Sequence, residues 1–130
     1  MAFSIDAILR VKGGRETDLN EWIDYHRAIG FDRIFVFIEE TPPWWESFAR
    51  RHTDVNFINA APKWSSWHTI GDAYAKHHSG ESWAVMLGDS EYIYVDPKGY
   101  GTLRHFIETA ANGCDAVSVF TKYISSAVGM

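Results

Sequence analysis

The sequence has little cysteine, few clustered cations and no long apolar run, and each shortage excludes a class of protein. Its single cysteine, Cys114, excludes an internal disulfide and fits a reducing compartment. The net charge is −5 and the longest basic run is Arg50-Arg51-His52, so a broad nucleic-acid or anionic-membrane surface is not expected. No apolar stretch approaches the roughly 18 residues of a membrane span, and the start of the chain lacks a signal-peptide pattern. These absences predict a soluble, cytoplasmic protein.

What the sequence does have is material for a core. Apolar residues make up 46% and aromatic residues 15% of the 130 residues, enough for a single domain over residues 1–130. Strand-like and helix-like segments alternate without a repeat or a low-complexity linker. This order predicts an α/β fold, with a mostly parallel sheet between helices on both faces in three layers.

The segment boundaries follow from apolar periodicity and from helix start and stop signals. Thr41-Pro42 is a typical helix start, with threonine as N-cap and proline at the first helical position. Ser66 is a candidate N-cap for the third helix, which Ser79-Gly80 ends. The periodicity places His26 on the apolar stripe of the first helix, as a packed, hydrogen-bonded histidine. The predicted strands are 3–11, 33–38, 55–60, 83–87 with an extension at 91–95, and 116–123; the other predicted helices are 17–29 and 102–111.

The most informative stretch is residues 83–97, which read WAVMLGDSEYIYVDP. Its unbroken apolar run predicts a strand buried on both faces of a parallel sheet, and ligands bind beyond the carboxyl ends of such strands. Asp89 and Glu91 follow directly. In an extended segment their spacing points both carboxylates to one side, which suits Mg²⁺ or Mn²⁺ and a substrate's phosphates. The alternative is a Gly-Asp-Ser turn with a solvated acid pair.

A second group of candidates follows the first strand. Lys12 and Arg15 flank two glycines, which let a backbone approach a ligand closely while the cations meet phosphate. There is no dinucleotide fingerprint of the G-x-G-x-x-G type. The alternative is a plain strand-to-helix loop.

Two stretches resemble a known family. Residues 21–37, EWIDYHRAIGFDRIFVF, are similar to the E-W-x-x-Y-H-x-x-x-G-x-D-x-x-x-x-Y stretch of family 92-type glycosyltransferases and related family 2-like enzymes. Trp83 to Tyr92 resembles their W-x-x-x-x-D-x-D-E-F, and the likeness covers about residues 5–96. It implies a GT-A fold whose amino-terminal half binds a nucleoside-diphosphate sugar (UDP- or GDP-sugar) with Mn²⁺ or Mg²⁺. A second half would bind a saccharide or other acceptor.

The resemblance also suggests roles for particular residues. Asp89 and Glu91 would hold the metal, although the family's two aspartates align with Gly88 and Ser90. The D-x-E of this chain either substitutes for D-x-D or has lost the metal. Glu39, after the second strand, would accept hydrogen bonds from a ribose or a base. The start of the third helix would face the nucleotide-sugar, through His68 and Asp72, unless these residues only support the core.

Two functions therefore remain open. One is a metal-dependent glycosyltransferase of the hexosyltransferase type. Its general base would be expected beyond Met130, which leaves its catalytic residues unknown. The other is an inactive GT-A-like binding or assembly module that would act as a homo-oligomer. The chain would be a minimal donor-binding half, a truncated one, or a part that works with a partner. A receiver-type phosphoryl module is disfavoured, because the first strand ends on Arg10-Val11-Lys12, which is basic rather than acidic.

Overall fold

The computed structural model of the chain describes residues 3–11, 14–38, 42–59, 67–88, 90–114 and 116. Strands and helices alternate along these residues, as the sequence predicts. The elements are β1 (Ser4–Val11), α1 (Glu16–Ile29), β2 (Arg33–Ile38), α2 (Trp45–Arg51), β3 (Asn56–Asn59), α3 (Trp67–His77), β4 (Ser82–Gly88) and α4 (Leu103–Ala110).

The described strands form one parallel sheet with the order β3-β2-β1-β4. In the register of β1, Ala7 lies opposite Ile34 of β2 and Val85 of β4. The chain therefore steps outward from β1 to β3 and then returns past β1 to β4. This confirms the α/β class and the parallel sheet.

Side chains of β1 and β2 alternate between two cores, one on each face of the sheet. Ala7 and Val36 belong to the larger core, which also holds the buried residues of α1, α2 and α4. Ile8 and Phe35 belong to the smaller core, together with Ile70 and Tyr74 of α3. The central strands are thus covered on both faces, and their near-continuous apolar sequence follows from that burial.

Local signals explain the ends of the helices. Gly30 ends α1 in the left-handed conformation, with φ of 117°, which glycine adopts at little cost. Thr102 is the N-cap of α4, and its hydroxyl accepts the backbone N–H of His105 at 3.1 Å.

The start predicted for the second helix is wrong. Helix α2 begins at Trp45, and the carbonyl of Pro42 accepts the Trp45 N–H at 3.1 Å in the turn that precedes it. Pro42 is itself followed by Pro43, and a residue before proline is disfavoured in helical geometry. Thr41, the predicted N-cap, and Ser66, the N-cap predicted for α3, lie outside the described residues.

The last two predicted strands fare differently. Residues 91–95 do not extend β4, because their backbone groups bond to side chains of α1 instead of to a neighbouring strand. The strand predicted at 116–123 lies outside the described residues, except for Ala116.

The prediction that the fourth strand is buried on both faces is also wrong. Among the described strands β4 pairs only with β1, and Met86 is 39% exposed.

A polar network ties together the strand starts on the α3 side of the sheet. Asp6 of β1 is fully buried and accepts two hydrogen bonds from the Arg33 guanidinium, both at 2.9 Å. The hydroxyls of Ser4 and Tyr74 also bond to Asp6, and Tyr74 contacts the Ser82 hydroxyl at 2.7 Å. The network joins β1, β2, β4 and α3 at the edge opposite the carboxyl ends of the strands.

No helix within the described residues is long and apolar enough to cross a membrane.

Candidate functional site

The strand order reverses between β1 and β4, and this fixes where a ligand site is expected. The crossover from β1 leads to β2 on one side, whereas β4 lies on the other side of β1. The carboxyl ends of β1 and β4 meet, with Arg10 in register with Gly88. In open α/β sheets such a reversal leaves a crevice outside the carboxyl ends of the strands. The segments that follow the strands there, 12–13, 39–41, 60–66 and 89, lie outside the described residues.

Glu91 lies just after this edge, in a turn closed by its own backbone and side chain. Its N–H donates to the carbonyl of Gly88 at 3.1 Å, and its Oε1 accepts the Gly88 N–H at 2.7 Å. Glu91 is therefore part of a turn and not of an extended segment, and Asp89, its predicted partner, lies outside the described residues. Glu91 remains exposed to solvent. Its carboxylate caps the end of β4 and keeps acceptor capacity for a further partner, since each oxygen carries two lone pairs.

Arg15 lies at the N-cap of α1, four residues beyond the end of β1, and is exposed. Its guanidinium binds Asp18 in a two-point contact, with Nε–Oδ2 at 3.0 Å and Nη2–Oδ1 at 3.1 Å. The hydrogen bonds and charge of Asp18 raise the pKa of Arg15 above its usual value. A phosphate bound by Arg15 would have to compete with Asp18.

The remaining predicted site residues are distributed as follows. Asp72 is an exposed residue of α3. His68 is the second residue of α3, at the end that follows β3, and its side chain is outside the described part of the structure. Lys12, Glu39 and Asp89 are outside the described residues. They directly follow β1, β2 and β4 in the sequence, so the topology assigns all three to segments that leave the same sheet edge.

Three side chains of α1 hold the segment that carries Glu91, and we call them the α1 clamp: Trp22, Tyr25 and His26. The Trp22 Nε1–H donates to the carbonyl of Glu91 at 2.8 Å, and the Tyr25 hydroxyl donates to the carbonyl of Ile93 at 2.7 Å. The Ile93 N–H donates to Nε2 of His26 at 3.2 Å. Spacing of three and four residues places the clamp on one face of α1. The clamp therefore explains why residues 91–95 leave the sheet.

The sequence correctly predicted that His26 is packed and hydrogen-bonded, but it did not reveal what the clamp holds. A signal was present. A buried tryptophan needs a hydrogen-bond partner for its Nε1–H, and Trp22 stands on the apolar stripe of α1. The partner segment, about 70 residues later, could not be identified from spacing alone.

His26 is a neutral imidazole that uses both ring nitrogens. Because the Trp22 carbonyl only accepts, Nδ1 donates to it at 2.9 Å, and Nε2 then accepts from the Ile93 N–H. Burial lowers the pKa of His26, and this outweighs the opposing effect of the hydrogen bond to the Trp22 carbonyl. A proton on Nε2 would remove the acceptor for Ile93.

We expect acid to destabilise the fold through His26. Below about pH 6.5 the unfolded chain binds a proton at this residue while the folded chain does not, so stability falls with pH until the lower folded pKa is reached. Thermal melts between pH 7.5 and about pH 5 should show a smaller decrease for His26→Gln than for the wild type. His105→Gln, which alters an exposed imidazole, should retain the wild-type decrease. Equal slopes for all three proteins would contradict the assignment.

The donor types at this edge fit a hard divalent cation. Glu91 offers carboxylate oxygens, and Mg²⁺ needs only one or two protein carboxylates because waters and substrate phosphates complete its shell. Within the part of the chain that the structure describes, no group of three or more histidine, cysteine, aspartate or glutamate side chains is close enough to hold a metal without such help.

The two described cavities lie elsewhere. A groove of about 1,470 Å³ runs along the first half of β4, α4 and residues 92–96, and Tyr92, Tyr94 and Tyr100 are among its lining residues. A shallower depression of about 760 Å³ lies on the outer face of α1 beside Arg51. Neither is lined by Glu91, Arg15 or Asp72.

Comparison of this chain with protein families, with curated proteins and with solved structures finds no match.

Proposed function

We propose that this chain binds a nucleoside-diphosphate sugar together with Mn²⁺ or Mg²⁺ at the carboxyl edge of its sheet, as the donor-binding part of a glycosyltransferase. Asp89 and Glu91 would hold the cation. Lys12 and Arg15 would meet the phosphates, and the nucleoside would lie against Glu39, His68 and Asp72. A bound cation would stabilise the negative charge that develops on a departing nucleoside diphosphate.

One observation carries the proposal: an anchored carboxylate at the reversal of strand order. Gly88 ends β4 beside Arg10 of β1, and Glu91 is fixed to Gly88 through both its backbone and its side chain. In open α/β sheets such a reversal is where a ligand is expected to bind, and the carboxylate would supply a hard ligand. The sequence resemblance adds the class of substrate.

The charges at this edge make binding conditional on the cation. Carboxylates repel a diphosphate, and Arg15, one of the described cations near this edge, is already engaged by Asp18. A divalent ion between the carboxylates and the diphosphate reverses the repulsion. The nucleotide should therefore bind in the presence of Mn²⁺ and not in the presence of a chelator.

The first experiment is thermal unfolding with UDP or GDP and Mn²⁺, each compared with nucleotide in EDTA. Ligand at about one hundred times its Kd adds about 2.7 kcal/mol to the free energy of unfolding, so the midpoint should rise by several degrees with Mn²⁺ only. Asp89→Ala should abolish the Mn²⁺-dependent rise, and Glu91→Gln should reduce it. Glu108→Gln, which neutralises an exposed carboxylate on α4, should retain it. The proposal fails if neither nucleotide at millimolar concentration shifts the wild-type midpoint with either ion.

A second candidate function, an assembly module, is favoured by the groove along β4. Its lining includes Trp83, Val85 and Tyr94, and Tyr94 is 75% exposed. Among the described strands β4 lies at the edge of the sheet, and an edge strand with apolar neighbours is a typical surface for pairing with another strand. The symmetric solution is a second copy of this chain. Sedimentation velocity of the same samples separates the two functions. A stable dimer whose unfolding midpoint and sedimentation do not change with nucleotide and Mn²⁺ would support assembly. A monomer that binds them would support the donor-binding role.

A further inference from the structure

The clamp fixes the backbone after β4 while leaving the Glu91 side chain exposed. Its three bonds, at 2.8, 2.7 and 3.2 Å, all end on backbone atoms of Glu91 or Ile93. The ring of Tyr92, between them, lies edge-on to Tyr25 at 5.1 Å and stacks on His26 at 5.4 Å. One helix face thus holds three consecutive residues.

We infer that Tyr25, together with Trp22 and His26, positions Glu91 for the divalent cation and thereby sets the affinity for the metal–nucleotide pair. The inference rests on the proposed donor-binding function. Under it, the α1 clamp consists of positioning residues, since none of its members is required to touch the cation or the nucleotide.

The path from the clamp to the carboxylate is short and continuous. Trp22 holds the Glu91 carbonyl, the Glu91 N–H is bonded to the Gly88 carbonyl, and the Glu91 carboxylate is bonded to the Gly88 N–H. Gly88 is itself paired with β1 at Arg10. Loosening the segment at Ile93 leaves Glu91 held by Trp22 and Gly88 alone, which weakens the constraint on the direction of its carboxylate relative to the sheet edge.

The hydrogen bonds from the α1 clamp are more than is needed to keep residues 91–95 on the surface. Glu91, Tyr92 and Tyr94 are exposed, so water could satisfy most polar groups of this segment. Instead a fully buried tryptophan and a fully buried histidine are committed to its backbone. Fixed backbone with an exposed acidic side chain is the arrangement that pre-organises a ligand for a metal, and supporting residues of this kind typically change metal affinity by 10- to 100-fold.

The test is Tyr25→Phe, which deletes the hydroxyl that holds Ile93 and retains the ring. UDP affinity is measured by calorimetry with and without Mn²⁺, well below the unfolding midpoint of every variant. We expect the Mn²⁺-dependent affinity to fall about tenfold, with no change in EDTA. An unchanged Mn²⁺-dependent affinity would overturn the inference.

Two matched tyrosine variants distinguish positioning from general loss of stability. Tyr94→Phe removes a 75%-exposed hydroxyl from the same segment and should leave both affinity and stability unchanged. Tyr74→Phe removes a buried hydroxyl from the Asp6 network, so it should lower the unfolding midpoint and leave affinity unchanged. If Tyr74→Phe weakens binding as much as Tyr25→Phe, the effect is one of stability and the inference is wrong.

A double variant identifies the residue through which Tyr25 acts. If Tyr25 works by orienting Glu91, Tyr25→Phe should weaken Mn²⁺-dependent binding in the wild type but add little to Glu91→Gln. Fully additive losses would show that Tyr25 acts elsewhere and would overturn the inference. If wild-type protein binds no nucleotide with Mn²⁺, the proposed function is wrong and so is the inference. If the wild type binds nucleotide with Mn²⁺ and Tyr25→Phe does not weaken that binding, only the inference is wrong.

Discussion

Replacing Asp6 by alanine is expected to lower the free energy of unfolding by about 3–5 kcal/mol, the usual result of removing one partner from a buried ion pair. Asp6 is fully buried and its two oxygens take both arms of the Arg33 guanidinium. Alanine leaves the Arg33 charge and the Tyr74 hydroxyl without their principal partner. Chemical denaturation of the two proteins measures the difference.

The protonation of this network explains why the loss is large. Burial alone would raise the pKa of Asp6, but hydrogen bonds from Arg33, Ser4 and Tyr74 outweigh it and lower the pKa below the usual value. Burial and the Asp6 hydrogen bond raise the pKa of Tyr74 to about 12. The stable form is therefore an Asp6 carboxylate that accepts bonds from a protonated tyrosine and a cation.

A more exposed ion pair with the same closest N–O distance provides the control. Arg27 and Asp54 approach to 2.9 Å, the same distance as Arg33 and Asp6, but the side chain of Asp54 is 64% exposed. Asp54→Ala should lower the free energy of unfolding by less than about 1 kcal/mol. Similar losses for the two variants would mean that burial does not strengthen the Asp6 network.

The pH dependence gives an independent check on the charge of Asp6. Because its folded pKa lies below the unfolded value of 3.8, its contribution is present above pH 3.8 and is lost as pH falls through the folded pKa. The difference in stability between wild type and Asp6→Ala should therefore narrow below about pH 4. A difference that stays constant down to pH 2 would contradict an ionised Asp6.

The sequence predicted the central sheet well, because a strand that is buried on both faces has a nearly continuous apolar sequence. The run RIFVFI matches β2 at both ends. The segment after Ser82 is also an unbroken apolar run, yet Met86 is exposed in β4. Apolar composition reports what a strand can bury, and it does not report whether a neighbour covers that strand. Exposure of β4 could not be inferred without the strand order.

The candidate site was less predictable, for a different physical reason. The spacing of Asp89 and Glu91 specifies a side-by-side pair only in extended chain, whereas Glu91 closes a turn onto Gly88 and Asp89 lies outside the described residues. The segment that begins at Glu91 is bonded to side chains of α1, about 70 residues away in sequence. Local pattern can identify acids after a strand, whereas their orientation depends on a contact between distant segments.

Several residues in the first resembling stretch have structural duties. Trp22 and His26 hold the segment after β4, Gly30 ends α1, and the Asp32 carboxylate accepts the N–H of Ile5 at 2.8 Å. These roles belong to the scaffold, so this stretch bears on how the chain folds and not on a reaction. Evidence for chemistry has to come from the sheet edge, and the Mn²⁺-dependent nucleotide experiment addresses that edge directly.

Trp22→Ala should be as damaging as the loss of Asp6, and it should also release a segment that other core variants leave in place. Trp22 is fully buried, its ring lies 3.9 Å from that of His26, and its Nε1–H holds the Glu91 carbonyl. Truncating a buried tryptophan costs about 3–5 kcal/mol of unfolding free energy. Phe48→Ala, in the same core but on α2, has a similar expected cost.

Amide hydrogen exchange separates the two variants, because their effects on Ile93 differ. In Phe48→Ala the α1 clamp is intact, so exchange of the Ile93 amide should rise only in step with global unfolding. In Trp22→Ala the His26 ring loses the surface on which it packs, and the Ile93 N–H loses a well-placed acceptor. Its exchange should then exceed the rate set by global unfolding. Equal behaviour of Ile93 in both variants, at matched stability, would show that the segment after β4 is held by the core as a whole and not by the clamp.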